Sequence, residues 1–582
     1  MEWNLKLIYK TKEEFESDLV LVDSIISDVE SLKGKLSTKE AFDKYNELNN
    51  LISLKLGKLF VFSSMQKDLN QKDVENSSTF MRVYSKYMEL VSRLAWTNPE
   101  IISYGEDVIL PLCNEKNKFN YEKLFKMNKY IKNAEVEGIM ANYNQVSNGY
   151  SELYEKLTVV DNNSTKVKLS TGETVSINAS NYRYYLGVLE SQSDRRKVFE
   201  AVFKFYTNHK ATLADIYNGI MQGELADVKN RGYNSILESH LYHNNIDPQV
   251  FHSLIDVAKN NNAPLLKYLD IRKKYFNLKT YHTYDRFLSF KESNIQYSYE
   301  ESKRLVLESM KTLGEEFYQK ACKVLESGRV SVEIKDGKRT GAYSTSTYEN
   351  GPFILLNHNN SIDNAFTIAH EAGHSIHTLY SNENQPVETA DYVIFVAEIA
   401  STFNEQIFLD YMISQSKDKD EKIVLLQQAI DGLIGTFYRQ TLFADYEYQA
   451  HQLVENNIPV NADALCAIME DLYMKYYGID LKKEKHKNMV WAYIPHLFGS
   501  PFYVYQYATS FSASLAIYQR VKNNVSNAFE QYLDLLKSGG SDYPVNLVKK
   551  AGVDLTTKEP FMAVVDRLSE LVDQLEKVLG DE

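Results

Sequence analysis

Only two stretches of this chain alternate polar and apolar side chains over several positions; almost everything else repeats at helical spacing. The first is KVKLSTGETVSI (166–177). It sets Val167, Leu169, Val175 and Ile177 against polar neighbours around Thr171-Gly172, a hairpin signal. The second joins RVSVEI (329–334), an Asp336-Gly337 turn, GAYSTS (341–346) and FILLN (353–357), which read as short strands. Residues 11–158 carry long, charged helical patterns punctuated by Pro99 and Pro111, helix resumes from 181 to 277, and after 360 almost everything reads as helix. The expected fold is mainly α with a small β-sheet directly before a histidine-rich helix.

Composition excludes several classes. A chain of 582 residues, 44% hydrophobic and 25% charged, can bury a sizeable core. Its formal net charge of −13, with acids and bases interspersed, lacks the basic stripe that nucleic-acid binding needs. Cys113, Cys322 and Cys466 are far apart and odd in number, which excludes a disulfide framework and suits a reducing compartment. The beginning, MEWNLKLIYKTKEEFESDL, has no apolar signal core, so a cytoplasmic location is expected. Residues 489–519 contain no Asp, Glu, Lys or Arg. Two prolines, a glycine, a histidine, two glutamines and many hydroxyls make them a poor bilayer helix, and they read as protein-buried.

The histidine-rich helix carries TIAHEAGHSIHTL (367–379), with Asn360 or Ser361 as its cap and Asp363 in the first turn. His370 and His374 are four residues apart, so their imidazoles share a face and can converge on one ion. His377 stands roughly 10.5 Å along the axis from His370, too far for the same ion, and is a bystander or an outer partner. Glu371 completes H-E-x-x-H and points beside the metal, where a base takes a proton from bound water. With 12 histidines in the chain, about 0.02 chance matches to this pattern are expected.

A catalytic zinc needs a third protein ligand and an open position for water. Downstream acids are Glu383, Glu388, Asp391, Glu398 and Glu405. Glu398 interrupts an apolar run, VIFVAEIA, where a carboxylate must be paired or bound to metal, and it is the expected ligand. Glu405, two turns later on nearly the same face, can orient a ligand histidine or stand as a solvated charge.

The segments HEAGHSIH and EIASTFNE, together with KRTGAYS and PHLFGSPFYVYQYATSFSASLA, resemble the thimet oligopeptidase family of zinc metallopeptidases, in its oligoendopeptidase F branch. The likeness is clearest over roughly residues 200–580. It implies a two-lobed, zincin-like metallopeptidase with a deep central channel that admits short peptides, and cleavage of internal bonds in oligopeptides. It also implies one zinc per chain held by His370, His374 and Glu398, with Glu371 as the catalytic glutamate. His496 matches a histidine that holds the tetrahedral intermediate, and Tyr507 best matches the oxyanion-donating tyrosine, with Tyr503 and Tyr505 as further candidates. The uncharged 489–519 segment suits such a water-poor donor set.

On this basis residues 1–110 form an amino-terminal helical lobe, 111–185 continue it to the hairpin, and 186–582 form the catalytic domain. The expected partners are short peptides, with neither nucleic acid nor membrane; the sequence gives no oligomeric state. Strand 353–357 can pair with an extended substrate as an added strand. A carboxypeptidase or dipeptidyl carboxypeptidase of the same type is the alternative, and it needs a cation to grip a terminal carboxylate. A non-catalytic zinc protein is the remaining reading, disfavoured because closed structural sites are commonly cysteine-rich.

Overall fold

The computed structural model describes residues 2–292 and 295–580. By internal contacts the chain divides into two units. The first comprises Met1–Lys129, Asn294–Ser414 and Ile517–Val553, and the second Tyr130–Ser293, Gln415–Ala516 and Asp554–Glu582.

The first unit begins with a helix, Lys12–Glu30, capped by Thr11, whose hydroxyl accepts from the Glu14 N–H. Phe15, Leu19, Val22, Ile26 and Val29 recur at helical spacing and are buried. They pack against the 31-residue helix Lys39–Leu69, which contributes Ile52, Leu56 and Leu59 to the same core. Each such side chain contributes about 1.5–3 kcal/mol by leaving water. Phe353 and Leu355 join this core, so the amino-terminal helices rest on the sheet beside the histidine-rich helix.

That sheet has three strands: β3 (Val330–Ser331), β4 (Tyr343–Thr347) and β5 (Gly351–Leu355), in the order β3-β5-β4. β5 pairs parallel with β3 and antiparallel with β4, placing Ser344 opposite Ile354. This corrects the expectation that strand 353–357 is open to a substrate. Phe353, Ile354 and Leu355 are fully buried because β5 is the central strand, with both edges occupied. The edges belong to β3 and β4, and β4 is the longer of the two. RVSVEI yields only two paired residues, Val330 and Ser331, and the buried Lys338 ammonium bonds the carbonyls of Ser331, Glu333 and Leu356 at 3.3, 2.7 and 2.7 Å.

In the second unit, β1 (Thr165–Lys168) and β2 (Thr174–Ile177) form the expected antiparallel hairpin, with Val167 opposite Val175 and Gly172 at φ +91° in the turn. Helices dominate the rest, among them Lys210–Arg231, Arg439–Glu455, Ala462–Tyr477 and Glu559–Gly580. The uncharged stretch after 489 falls on a 3-10 helix (Lys487–Tyr493), a single turn (His496–Gly499) and the helix Tyr505–Lys522, with Trp491 fully buried. Among the described residues no helix is long and apolar enough to cross a membrane, and the three cysteines are free.

Candidate active site

The helix Ile362–Asn384 starts at Ser361, whose hydroxyl accepts from the Asn364 N–H at 3.3 Å; Asn360, at φ +64°, makes the turn before it. Ile368, Ala369, Ala372 and Ile376 are fully buried, and the helix packs on β4, β5 and the helix Ala528–Lys537. A second helix, Ile394–Gln415, crosses it at Gly373. A Cβ there would stand 2.6 Å from both the Ala400 carbonyl oxygen and the Ser401 Cα. Glycine therefore permits a backbone-to-backbone approach that brings Glu398 to the histidines.

His370 Nε2 and His374 Nε2 are 3.2 Å apart, and a Glu398 carboxylate oxygen lies 3.3 Å from the first and 3.5 Å from the second. Among the described residues this is the one group of three or more side chains with ligand atoms close enough to share a metal ion. Tetrahedral coordination at ~2.0–2.1 Å separates ligand atoms by about 3.3–3.4 Å, so the three atoms stand at the spacing zinc requires. The other nitrogen of His370 faces Glu405 Oε1 at 2.5 Å, which leaves the Nε2 lone pair for a metal. The His374 ring also reaches the Ala397 backbone carbonyl. Glu398 accepts from the Ser401 hydroxyl at 2.9 Å.

Electrostatics favour a cation at this point. Burial disfavours charge on His370, yet Glu405, with Glu371 and Glu398, outweighs it and lifts the ring to about 9. Burial and the neighbouring His370 charge push His374 down to about 4. Glu398 keeps 30% side-chain exposure rather than the full burial expected of an acid in an apolar run, because the apolar run buries the opposite faces through Phe395, Val396, Ile399 and Ala400. His370 and His374 are likewise 25% and 19% exposed, so the three candidate ligands are reachable from outside the packed core.

Glu371 is 6% exposed, and its Oε2 has no hydrogen-bond partner. Burial pushes its carboxyl up to about 7, helped by Glu398 and Glu405, while the His370 charge and, to a smaller extent, the Ser344 backbone N–H on edge strand β4 oppose the shift. An orphaned buried carboxylate oxygen beside a metal position is poised to take a proton.

The remaining acids separate from this group. Glu383 pairs with Lys320, and Glu388 accepts from Asn50 at 2.5 Å. His377 is 1% exposed, stacked on Tyr392 at 3.7 Å and pushed down to about 3 by burial, a neutral packing residue. The contribution of Ser344 has no signature in the sequence, because it depends on which strand is the edge.

His496, Tyr503 and Tyr507 lie in the second unit and form one ring cluster. His496 stacks on Tyr503 at 6.0 Å, meets Tyr507 edge-on at 6.1 Å, and the two tyrosines are 5.4 Å apart. Tyr505 is 2% exposed and packs against Phe251, so it serves the core instead.

A glutamate with an unsatisfied oxygen beside converging lone pairs meets the needs of metal-assisted hydrolysis, and the helix laid beside a small sheet is the setting of zincin-like metallopeptidases. The model for Peptidase family M3 matches residues 188–566, and the chain belongs to that family of metallopeptidases. It is 31% identical over 586 residues to Oligopeptidase PepF of Bacillus subtilis, spanning 99% of this chain and 87% of the relative. It is equally identical, 31% over 599 residues, to an oligoendopeptidase F homolog of Borreliella burgdorferi, spanning 99% and 98%. Among solved structures, a putative peptidase from Chlamydophila abortus superposes with a TM-score of 0.93 at 30% identity, covering 99% and 98% of the two chains. Oligoendopeptidase-F from Enterococcus faecium gives 0.72 at 25% identity, covering 98% and 99%.

Proposed function

We propose that the protein hydrolyses internal bonds of short oligopeptides, with one zinc per chain held by His370, His374 and Glu398 and with Glu371 as general base. The observation that carries this reading is the convergence of three ligand atoms within 3.5 Å of one another beside the unpartnered Glu371 oxygen. The oligopeptidase and oligoendopeptidase names of full-length relatives support the substrate class. When bound, zinc lowers the pKa of its water toward ~7 and polarises a carbonyl oxygen.

Glu371 takes the proton of the attacking water and returns it to the leaving amine. Glu405 holds His370 in the tautomer that presents Nε2. Edge strand β4 offers main-chain groups to an extended peptide, a role β5 cannot fill. Tyr507, with His496 and Tyr503, donates to the oxyanion. Residues 186–582 are the proposed catalytic span, preceded by an amino-terminal lobe of 1–110 and 111–185, and the proposed location is cytoplasmic.

The test is mass spectrometry of products from a peptide blocked at both termini and from its free-acid counterpart. Cleavage of both at the same internal bond supports the reading. Cleavage of the free acid alone, by release of C-terminal residues, replaces it with a carboxypeptidase.

A further inference from the structure

Four basic side chains in the second unit converge with no carboxylate paired to them among the described residues. Arg183, Arg286, Arg439 and Lys487 line one cavity together with Tyr182 and Tyr493. The cavity has a volume of about 20 Å³, room for one small polar group at its floor. Lys487 forms that floor. It is 7% exposed, and its ammonium has no hydrogen-bond or ion-pair partner among the described residues. The rings of Phe199, Phe203 and Tyr473 approach it at 5.2, 5.3 and 5.4 Å.

The arginines have only neutral partners. Arg183 donates to the hydroxyls of Tyr493 and Tyr182 at 3.1 and 3.4 Å. Arg439 bonds the Tyr473 hydroxyl, and Arg439 and Arg286 lie over Phe443 and Phe287, each at 4.7 Å. No carboxylate pairs with any of the four among the described residues. The one acid felt at Lys487 is Glu484, which already accepts from the Thr283 N–H, the Thr283 hydroxyl and the His282 ring. Burial, reinforced by Arg439 and then by Arg286 and Arg183, pushes Lys487 down to about 7.

A buried, unpaired lysine surrounded by arginines is costly in a chain of net charge −13, which has ample acids to neutralise it. We infer that Arg183, Arg286, Arg439 and Lys487 form a binding site for a small oxyanion, a carboxylate or phosphate group whose oxygens reach Lys487 while the arginines grip it from the rim. Arginine forks match both anions, and the hydroxyl pair of Tyr182 and Tyr493, bonded to each other, leaves one further donor. Lys487 and Tyr493 bound the 3-10 helix that runs, through Pro495, directly into His496, so a bound anion fixes the segment leading to that ring. The site goes beyond the proposed cleavage reaction and does not depend on it.

Calorimetric titration of the zinc-loaded protein tests it with two probes, inorganic phosphate and a peptide supplied as free acid and as C-terminal amide. The peptide arm uses Glu371→Gln to prevent turnover. The result expected is binding of one or both oxyanions that is at least about tenfold weaker in Lys487→Met. A loss seen with phosphate identifies a free anion. A loss confined to the free-acid peptide identifies a peptide carboxylate. Should Lys487→Met not fold, Arg439→Gln and Arg286→Gln carry the same comparison. Unchanged phosphate affinity together with unchanged discrimination between acid and amide in these variants overturns the inference.

Discussion

His370 Nδ1 and Glu405 Oε1 lie 2.5 Å apart across two helices, and that contact turns the opposite nitrogen of His370 toward His374 and Glu398. Glu405 acts through His370 without reaching the ligand cluster itself. Glu405→Ala should weaken zinc affinity about 10–100-fold while leaving the fold intact, as outer partners of metal ligands generally do. Competition with a chromophoric chelator measures it. Wild-type affinity in the variant would reduce Glu405 to a surface charge.

Gly373 sets the distance between the two ligand-bearing helices. Its missing Cβ is replaced by the backbone of Ala400 and Ser401, neither of which can turn aside as a flexible side chain would. Gly373→Ala should destabilise by about 1–3 kcal/mol and separate Glu398 from the histidines. Denaturant unfolding and zinc content, measured together, should both fall. Retained zinc in a destabilised variant would assign Gly373 to packing alone.

How much of this was legible in the sequence depended on whether the signal was local. The i, i+4 histidines, the neighbouring Glu371 and the Ser361 cap are all set by one helix, so spacing sufficed. Glu398 was legible because a charge broke an apolar run, although its 30% exposure was not. Gly373 lies inside the H-E-x-x-H motif, but its close contact belongs to the pairing of two helices. The order β3-β5-β4 was also hidden. An apolar run such as FILL marks a buried strand without saying which strand holds the edge, and so Ser344 was missed. The two units interleave three segments each, an arrangement that composition along the chain does not reveal.

The second unit holds a buried charge network with a predictable pH response. The two ring nitrogens of His451 face the Glu447 carbonyl and Glu224 at 2.7 Å each, and His240 reaches the other Glu224 oxygen at 2.7 Å. Two acceptors require both ring nitrogens of His451 to donate, so it is cationic. Burial opposes charge on Glu224, but His451 and His240 outweigh it and hold the carboxyl near 2. Burial likewise opposes charge on His451, and Glu224 raises it overall. The Glu224 contribution is present above its ordinary value of 4.5 and is lost as pH falls toward 2. The His451 contribution is present below 6.5 and is lost as pH rises through its elevated value. Glu447, lifted to about 8 chiefly by burial, adds to the alkaline loss between 4.5 and 8. Unfolding free energy should therefore be greatest near pH 4.5 for this network and fall from there toward pH 8, and Glu224→Gln should cost about 3–5 kcal/mol over pH 4.5–6.5. A variant as stable as wild type across that range would contradict the assignment.

Tyr505 and Tyr507 stand two residues apart but face different surroundings. Tyr505→Phe, in the core, should leave turnover close to wild type. Tyr507→Phe should lower kcat by about 10²–10³ with little change in KM, the pattern for a donor used only at the transition state. Tyr503→Phe, measured beside them, identifies the donor if Tyr507→Phe is silent. Equal effects at 505 and 507 would assign both to packing.

The most direct measurement pairs zinc stoichiometry with turnover in Glu371→Gln. The substitution keeps the shape and removes the base, while His370, His374 and Glu398 are untouched. The account predicts one zinc per chain, as in the wild type, and a fall in kcat of at least ~10³. A zinc-replete variant cleaving peptides at a near-native rate would contradict it.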